Sequence, residues 1–169
     1  LFFENMEKAE EYLNVSISIQ QKIHQVEATL HEQMSEKLQR QIENAELLND
    51  TQKYNLLKRL EKMPSTNKLC HGDFHLHNLI VSHDQISIID WVDSSAGDIR
   101  ADVYRTYLLY SQFSLDFANL YVELYCSSSG LLKEEIFQWA PIIAGARLSE
   151  NVTTEDNARL LEIVNNLEM

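Results

Sequence analysis

Apolar side chains at Ile19, Ile23, Val26, Leu30, Met34, Leu38, Ile42 and Ala45 recur every three or four positions. That period gathers them on one helical face, with Glu, Gln, Lys and His covering the rest. The pattern predicts a helix over 17–48, preceded by a shorter one over 3–12. The stripe has coiled-coil spacing, but it mixes small and large residues and fades toward its end, so a helix laid on a core is expected ahead of a partner surface. Another helix runs from Asp50, as N-cap, to Met63 and stops at Pro64. The texture then changes: Lys68 to His71, Leu79 to Ser82 and Ile86 to Ile89 are short apolar runs rich in Ile and Val. The last two flank His83-Asp84-Gln85 and predict a tight hairpin. From Ile99 the helical period returns, to about Gln112, then over 115–127, 132–148 and 155–167, with Ser127-Ser128-Ser129-Gly130 as a break. The expected fold is mostly α with a small β-hairpin (α+β). It forms a single domain over 1–169: a helical stretch to 66, loops and hairpin over 67–105, and a helical subdomain over 106–169.

Four glycines and two prolines in 169 residues agree with a helix-rich chain. The net charge of -12 repels a phosphate backbone, so no nucleic acid is expected as partner, whereas a cationic small molecule suits it. Cys70 and Cys126 form no paired motif, which fits a reduced, cytoplasmic setting. No apolar run reaches bilayer length, so no membrane is expected either. The chain opens at Leu1 inside a helical pattern and reads as an excerpt of a longer protein.

The chemistry concentrates in Leu69-Cys70-His71-Gly72-Asp73-Phe74-His75-Leu76-His77-Asn78-Leu79-Ile80-Val81, followed by Ile88-Ile89-Asp90-Trp91 and Gly97-Asp98-Ile99-Arg100-Ala101-Asp102. Phosphoryl transfer from a nucleotide needs a carboxylate where the attacking hydroxyl arrives, and hard oxygen ligands to hold Mg²⁺. Asp73 suits the first role. Asn78 follows on the same loop, and a hairpin between them brings Asp90 close to it across twelve positions.

H-G-D-x-x-x-x-N followed by I-D-W resembles the signature of the aminoglycoside phosphotransferase and choline kinase superfamily, relatives of the protein kinases. The resemblance runs from about residue 17 to the end and is strongest over 69–105. It implies Asp73 as the catalytic aspartate, Asn78 as a magnesium and nucleotide ligand, and Asp90 as the metal-binding aspartate. It further implies His71 as a brace of the catalytic loop and Asp102 as a buried acceptor for that loop's backbone. The cofactors so implied are Mg²⁺ and ATP (or GTP), and the substrate is a small hydroxylated molecule, cationic or neutral. Leu76 stands where many members have proline. The larger departure is that relatives carry a β-rich lobe before this region, with a phosphate-covering loop and a lysine for the ATP phosphates. Here no Gly-rich loop occurs, and Lys8, Lys22, Lys37, Lys53, Lys58 and Lys62 all sit in helical patterns. The chain is therefore expected to be a kinase-like C-terminal lobe whose N-terminal β-lobe is absent, and to be inactive alone.

Competing readings attach to several residues. His71, His75, His77 and His83 suggest a zinc site by clustering, but no cysteine group completes it; His75 is expected near the substrate entrance. Cys70 reads as a structural strand residue, and Asp98 as a helix N-cap ahead of a substrate contact. Asp93 and Glu150 read as solvated surface before they read as attraction for a cation. Trp91 and Trp139 are expected in core or pocket wall, and Tyr104, Tyr107 and Tyr110 in helix packing. The alternative function is a non-catalytic binding or scaffolding module on the same fold.

Overall fold

Helix α1 (Met6–His24) runs unbroken through the gap left between the two predicted N-terminal helices. The computed structural model describes residues 6–83 and 85–166; the first predicted helical positions, 3–5, and the last, 167, lie outside them. The expected helix over 17–48 is not continuous. It ends at His24, and helix α2 begins only at Met34 (Met34–Asn44).

The reason is tertiary. Between the two helices the backbone is taken up by a sheet, because Leu69 N–H donates to Val26 O at 2.9 Å, Ala28 N–H to Asn67 O at 2.8 Å and Ala96 N–H to Glu32 O at 2.8 Å. Pairing of this kind overrides helix propensity. Leu30, placed by its spacing on the apolar stripe, is consequently 99% exposed, while Met34, Leu38 and Ile42 do face the core. The polar positions are misplaced in the opposite sense: Gln20 and His24, expected on the wet face, are buried at 0% and 5% exposure.

Helix α3 (Asp50–Leu60) is capped by Asn49 rather than Asp50, through a reciprocal bond pair with Gln52. Strand β1 (Lys68–Cys70) pairs antiparallel with β4 (Ser95–Gly97), Cys70 opposite Ser95. Between them, β2 (Leu79–Ser82) and β3 (Gln85–Ile88) form the expected hairpin, Leu79 opposite Ile88. The loop and hairpin from 71 to 94 are thus one excursion, closed at its neck by the β1–β4 pair.

The remaining helices are α4 (Ile99–Ser111), α5 (Leu115–Ser129), α6 (Lys133–Phe137), α7 (Ala140–Arg147) and α8 (Asn157–Asn165). Gly130, in the left-handed region at φ 78°, ends α5. The stretch expected as one helix over 132–148 divides in two, with Pro141 in the first turn of α7, where its missing N–H costs nothing. Helix α4 is buried from Ala101 to Tyr110, and α1, α2, α5, α7 and α8 pack round it in one continuous apolar core. Tyr104, Tyr107 and Tyr110 lie within it as expected, and so does Trp139. Among the described residues no helix is long and apolar enough to cross a membrane.

The break in the first helical region gives a direct test. Leu38→Ala removes a side chain that is 6% exposed and should cost about 2–5 kcal/mol in chemical denaturation. Leu30→Ala should change stability by less than about 0.5 kcal/mol. Equal losses at the two positions would restore the continuous helix.

Candidate active site

The loop after β1 is shaped by one glycine. Gly72 has φ 81°, and a Cβ there would lie 2.2 Å from Asp93 O, so only glycine lets the 91–95 segment close over the loop. His71, fully buried, places its Nε2 3.0 Å from Ile89 O, and its ring packs 4.6 Å from that of Trp91. Ile89 N–H in turn donates to Asn78 O at 3.0 Å. The residues on both sides of Asp90 are therefore fixed to the loop that carries Asp73 and Asn78. Asp90 itself is in the left-handed region at φ 62°, a conformation Asp tolerates better than most residues and one that concentrates at functional sites.

Asn78, 7% exposed, donates from Nδ2 to Asp73 O at 2.9 Å and to Asp73 Oδ2 at 3.2 Å. Its Oδ1, a hard oxygen, has no hydrogen-bond partner among the described residues. The Asp90 side chain is exposed and has no protein partner among the described residues. An amide oxygen and an unpaired carboxylate form a donor set suited to Mg²⁺ and poorly suited to softer metals, so these residues fit the ion that the sequence implies.

Helix α4 supports the loop from below, along one face. Gly72 N–H donates to Asp102 Oδ1 at 2.7 Å, and Arg105 Nε donates to Gly72 O at 3.1 Å. Thr106 Oγ1 donates to Phe74 O at 2.8 Å, and Leu76 N–H donates to Tyr110 Oη at 3.2 Å. Positions 102, 105, 106 and 110 share a helical face, so one rigid element holds residues 72, 74 and 76 in register.

Beneath that face lies a buried polar network. His24 Nε2–H donates to Asp102 Oδ2 at 2.8 Å, and in the neutral ring Nδ1 accepts from the Tyr125 hydroxyl at 2.7 Å. Gln20 Nε2 donates to Asp102 Oδ2 and Thr106 Oγ1, both at 3.2 Å, and its Oε1 accepts from Tyr121 at 2.6 Å. Burial pushes the Asp102 carboxyl upward, but His24, the Gly72 N–H and Gln20 outweigh it and hold the carboxyl below its ordinary range.

At Asp73 partial burial also works upward. The hydrogen bond and charge of His75, then Arg105 and Asn78, overcome it and bring the carboxyl to about 2.

The four histidines do not assemble as a metal site. His71 is a buried brace, His75 Nε2 lies 3.4 Å from Asp73 Oδ2, His77 packs edge-on against His75, and His83 sits at the hairpin turn. Among the described residues the only group with metal-ligand proximity is His24, Cys70 and Asp102, all buried. Its hydrogen-bonded His24–Asp102 contact leaves no gap for an ion, and burial pushes the Cys70 thiol far up.

Asp98 is the N-cap of α4, accepting from Arg100 N–H at 2.9 Å. Asp93 and Glu150, expected as solvated surface, are ion-paired instead, to Lys37 at 2.9 Å and to Arg105 at 2.9 Å respectively. Gln20, His24, Arg105 and Thr106 escaped the sequence reading, and Tyr110 was read for its packing without its hydroxyl contact to the loop. For Arg105 and Thr106 the one available signal was polar residues inside an otherwise buried helix.

A loop aspartate, an asparagine bonded to it, and a second aspartate after the hairpin lie on one connected backbone, whose Gly72 N–H is held by the buried Asp102. The chain belongs to the phosphotransferase enzyme family, whose model matches residues 6–140, consistent with the aminoglycoside phosphotransferase and choline kinase superfamily. No curated protein matches it.

Two results follow for Asp102. Asp102→Ala strips partners from buried donors and should destabilise the fold by about 3–5 kcal/mol in urea denaturation. The folded carboxyls of Asp102 and Asp73 lie below their unfolded values, so their contribution is present above ~pH 4 and is lost as pH falls further. Asp102→Asn should flatten that acid loss; an unchanged pH slope would contradict the linkage.

Proposed function

We propose that this chain supplies the catalytic half of an enzyme that transfers the γ-phosphoryl group of ATP (or GTP) to a hydroxyl of a small molecule. The carrying observation is the Asp73–Asn78 hydrogen bond lying one backbone contact away from the unpaired carboxylate of Asp90. Asp73 receives the acceptor hydroxyl. With its carboxyl held at about 2, it is ionised throughout the physiological range and a weak base. Its main work is therefore to orient the hydroxyl, accepting the proton late. Asn78 Oδ1 and the Asp90 carboxylate would hold Mg²⁺, which when bound supplies positive charge beside the phosphate oxygens. His75 keeps Asp73 ionised and fixes its direction.

The other face of the nucleotide site is proposed to come from a covering lobe in addition to the residues described. The hairpin beside Asn78 and Asp90 supports this, because Ile80, Val81 and Ile86 are exposed on it and Val92 follows at 88% exposure. Apolar surface of that kind marks a docking or ligand surface.

In the protein carrying that lobe, Asp73→Ala should lower phosphorylation by about 100- to 10,000-fold at a temperature where circular dichroism shows the variant folded; unchanged turnover would refute the assignment. Asp90→Ala should remove Mg²⁺-dependent nucleotide binding in calorimetry. The 169-residue chain by itself should show no ATP turnover, and measurable turnover would contradict the need for a covering lobe.

A further inference from the structure

Asp73 also forms part of the wall of a cavity of about 510 Å³, bounded by the 73–77 loop, the end of α4 and the start of α5. That volume falls in the range of small-molecule sites. The apolar part of the wall is Leu76, Leu109, Tyr110, Phe113 and Phe117, and His75, His77, Gln112 and Thr154 add polar lining. The Tyr110 hydroxyl already accepts from Leu76 N–H at 3.2 Å. Phe113, a large aromatic 73% exposed, stands where an incoming molecule would meet it. Gln112 is tied to Thr154 O at 2.8 Å.

The charges around this space are already matched. Asp73 is the one carboxylate among the lining residues. Arg147 lines it as well, but its guanidinium is bonded to Glu150 and, from Nε at 3.1 Å, to Glu155. Glu150 is shared with Arg105 and Glu155 with Arg159, each at 2.9 Å. Apart from the imidazoles of His75, which faces Asp73, and His77, the wall presents no cation without a carboxylate partner, and its only anion is the catalytic one. The net charge of -12 is spread elsewhere and says nothing about this pocket. A molecule with several ammonium groups would shed its hydration against apolar walls with a single carboxylate in return, which is strongly unfavourable. A molecule with an apolar body gains from the same walls.

Resting on the phosphotransfer reading, we propose that the acceptor is a neutral or singly charged alcohol with a bulky apolar body, seated against Leu109, Phe113 and Phe117 with its hydroxyl at Asp73, and not a polyamino sugar. Calorimetry on the chain with two probes tests this: 1-adamantanemethanol, an apolar-bodied alcohol, and 2-deoxystreptamine, a hydroxylated ring carrying two ammonium groups. The alcohol should bind at least about tenfold more tightly. Phe113→Ala, at an exposed position, should weaken it about fivefold through lost apolar contact. Equal or tighter binding of deoxystreptamine, or an alcohol affinity unchanged by Phe113→Ala, would overturn the proposal. Neither probe needs nucleotide, so the two readings fail separately. A lost preference while Asp73→Ala still abolishes turnover overturns the ligand class alone. A retained preference with turnover unaffected by Asp73→Ala leaves the ligand class standing and overturns the transfer reaction.

Discussion

One buried carboxylate organises this molecule. Asp102 is 1% exposed and ionised, a condition that costs several kcal/mol unless both oxygens are hydrogen-bonded. Here they are: Gly72 N–H takes one oxygen, and His24 and Gln20 take the other. The bond to Gly72 fixes the start of the 72–78 loop to α4. The bonds to His24 and Gln20 fix α1 to the same point. Thr106 then passes the Gln20 contact on to Phe74 O. Helix packing and loop geometry are thus one problem with one solution.

The loop's far end is held differently. The β1–β4 pair closes the neck, Gly72 lets the 91–95 segment approach, and Lys37 of α2 ties that segment down through Asp93 O at 2.6 Å. His71 joins the two halves by its contact with Ile89 O. Asp90 is left projecting from a rigid base with a free carboxylate. This combination of a fixed backbone and an unmatched charge is what a cation site requires, since its side chain need not break a bond to accept a ligand.

Much of this was legible in the sequence, for local reasons. The H-G-D-x-x-x-x-N and I-D-W strings mark the loop and strand end because glycine, aspartate and asparagine there answer to backbone and ligand constraints that few other residues meet. The hairpin followed from Ile and Val flanking a short turn, although its second strand, expected over Ile86 to Ile89, runs from Gln85 to Ile88. The break at 25–33 was not legible, because Val26 and Leu30 keep helical spacing while the backbone of Val26, Ala28 and Glu32 pairs with Leu69, Asn67 and Ala96, far along the chain. His24 and Gln20 were misread for a related reason. A period identifies a face as polar, and only the partner helix shows whether that face meets water or a buried carboxylate.

The account stands on Asn78 and Asp90 sharing one cation beside Asp73. Titration of the isotopically labelled chain with Mn²⁺, a paramagnetic stand-in for Mg²⁺, probes this by nuclear magnetic resonance. The account predicts that the amide signals of residues 73, 78 and 90 broaden together and first. Broadening centred on the buried His24, Cys70 and Asp102 group, or scattered over the acidic surface with those three amides untouched, would contradict it.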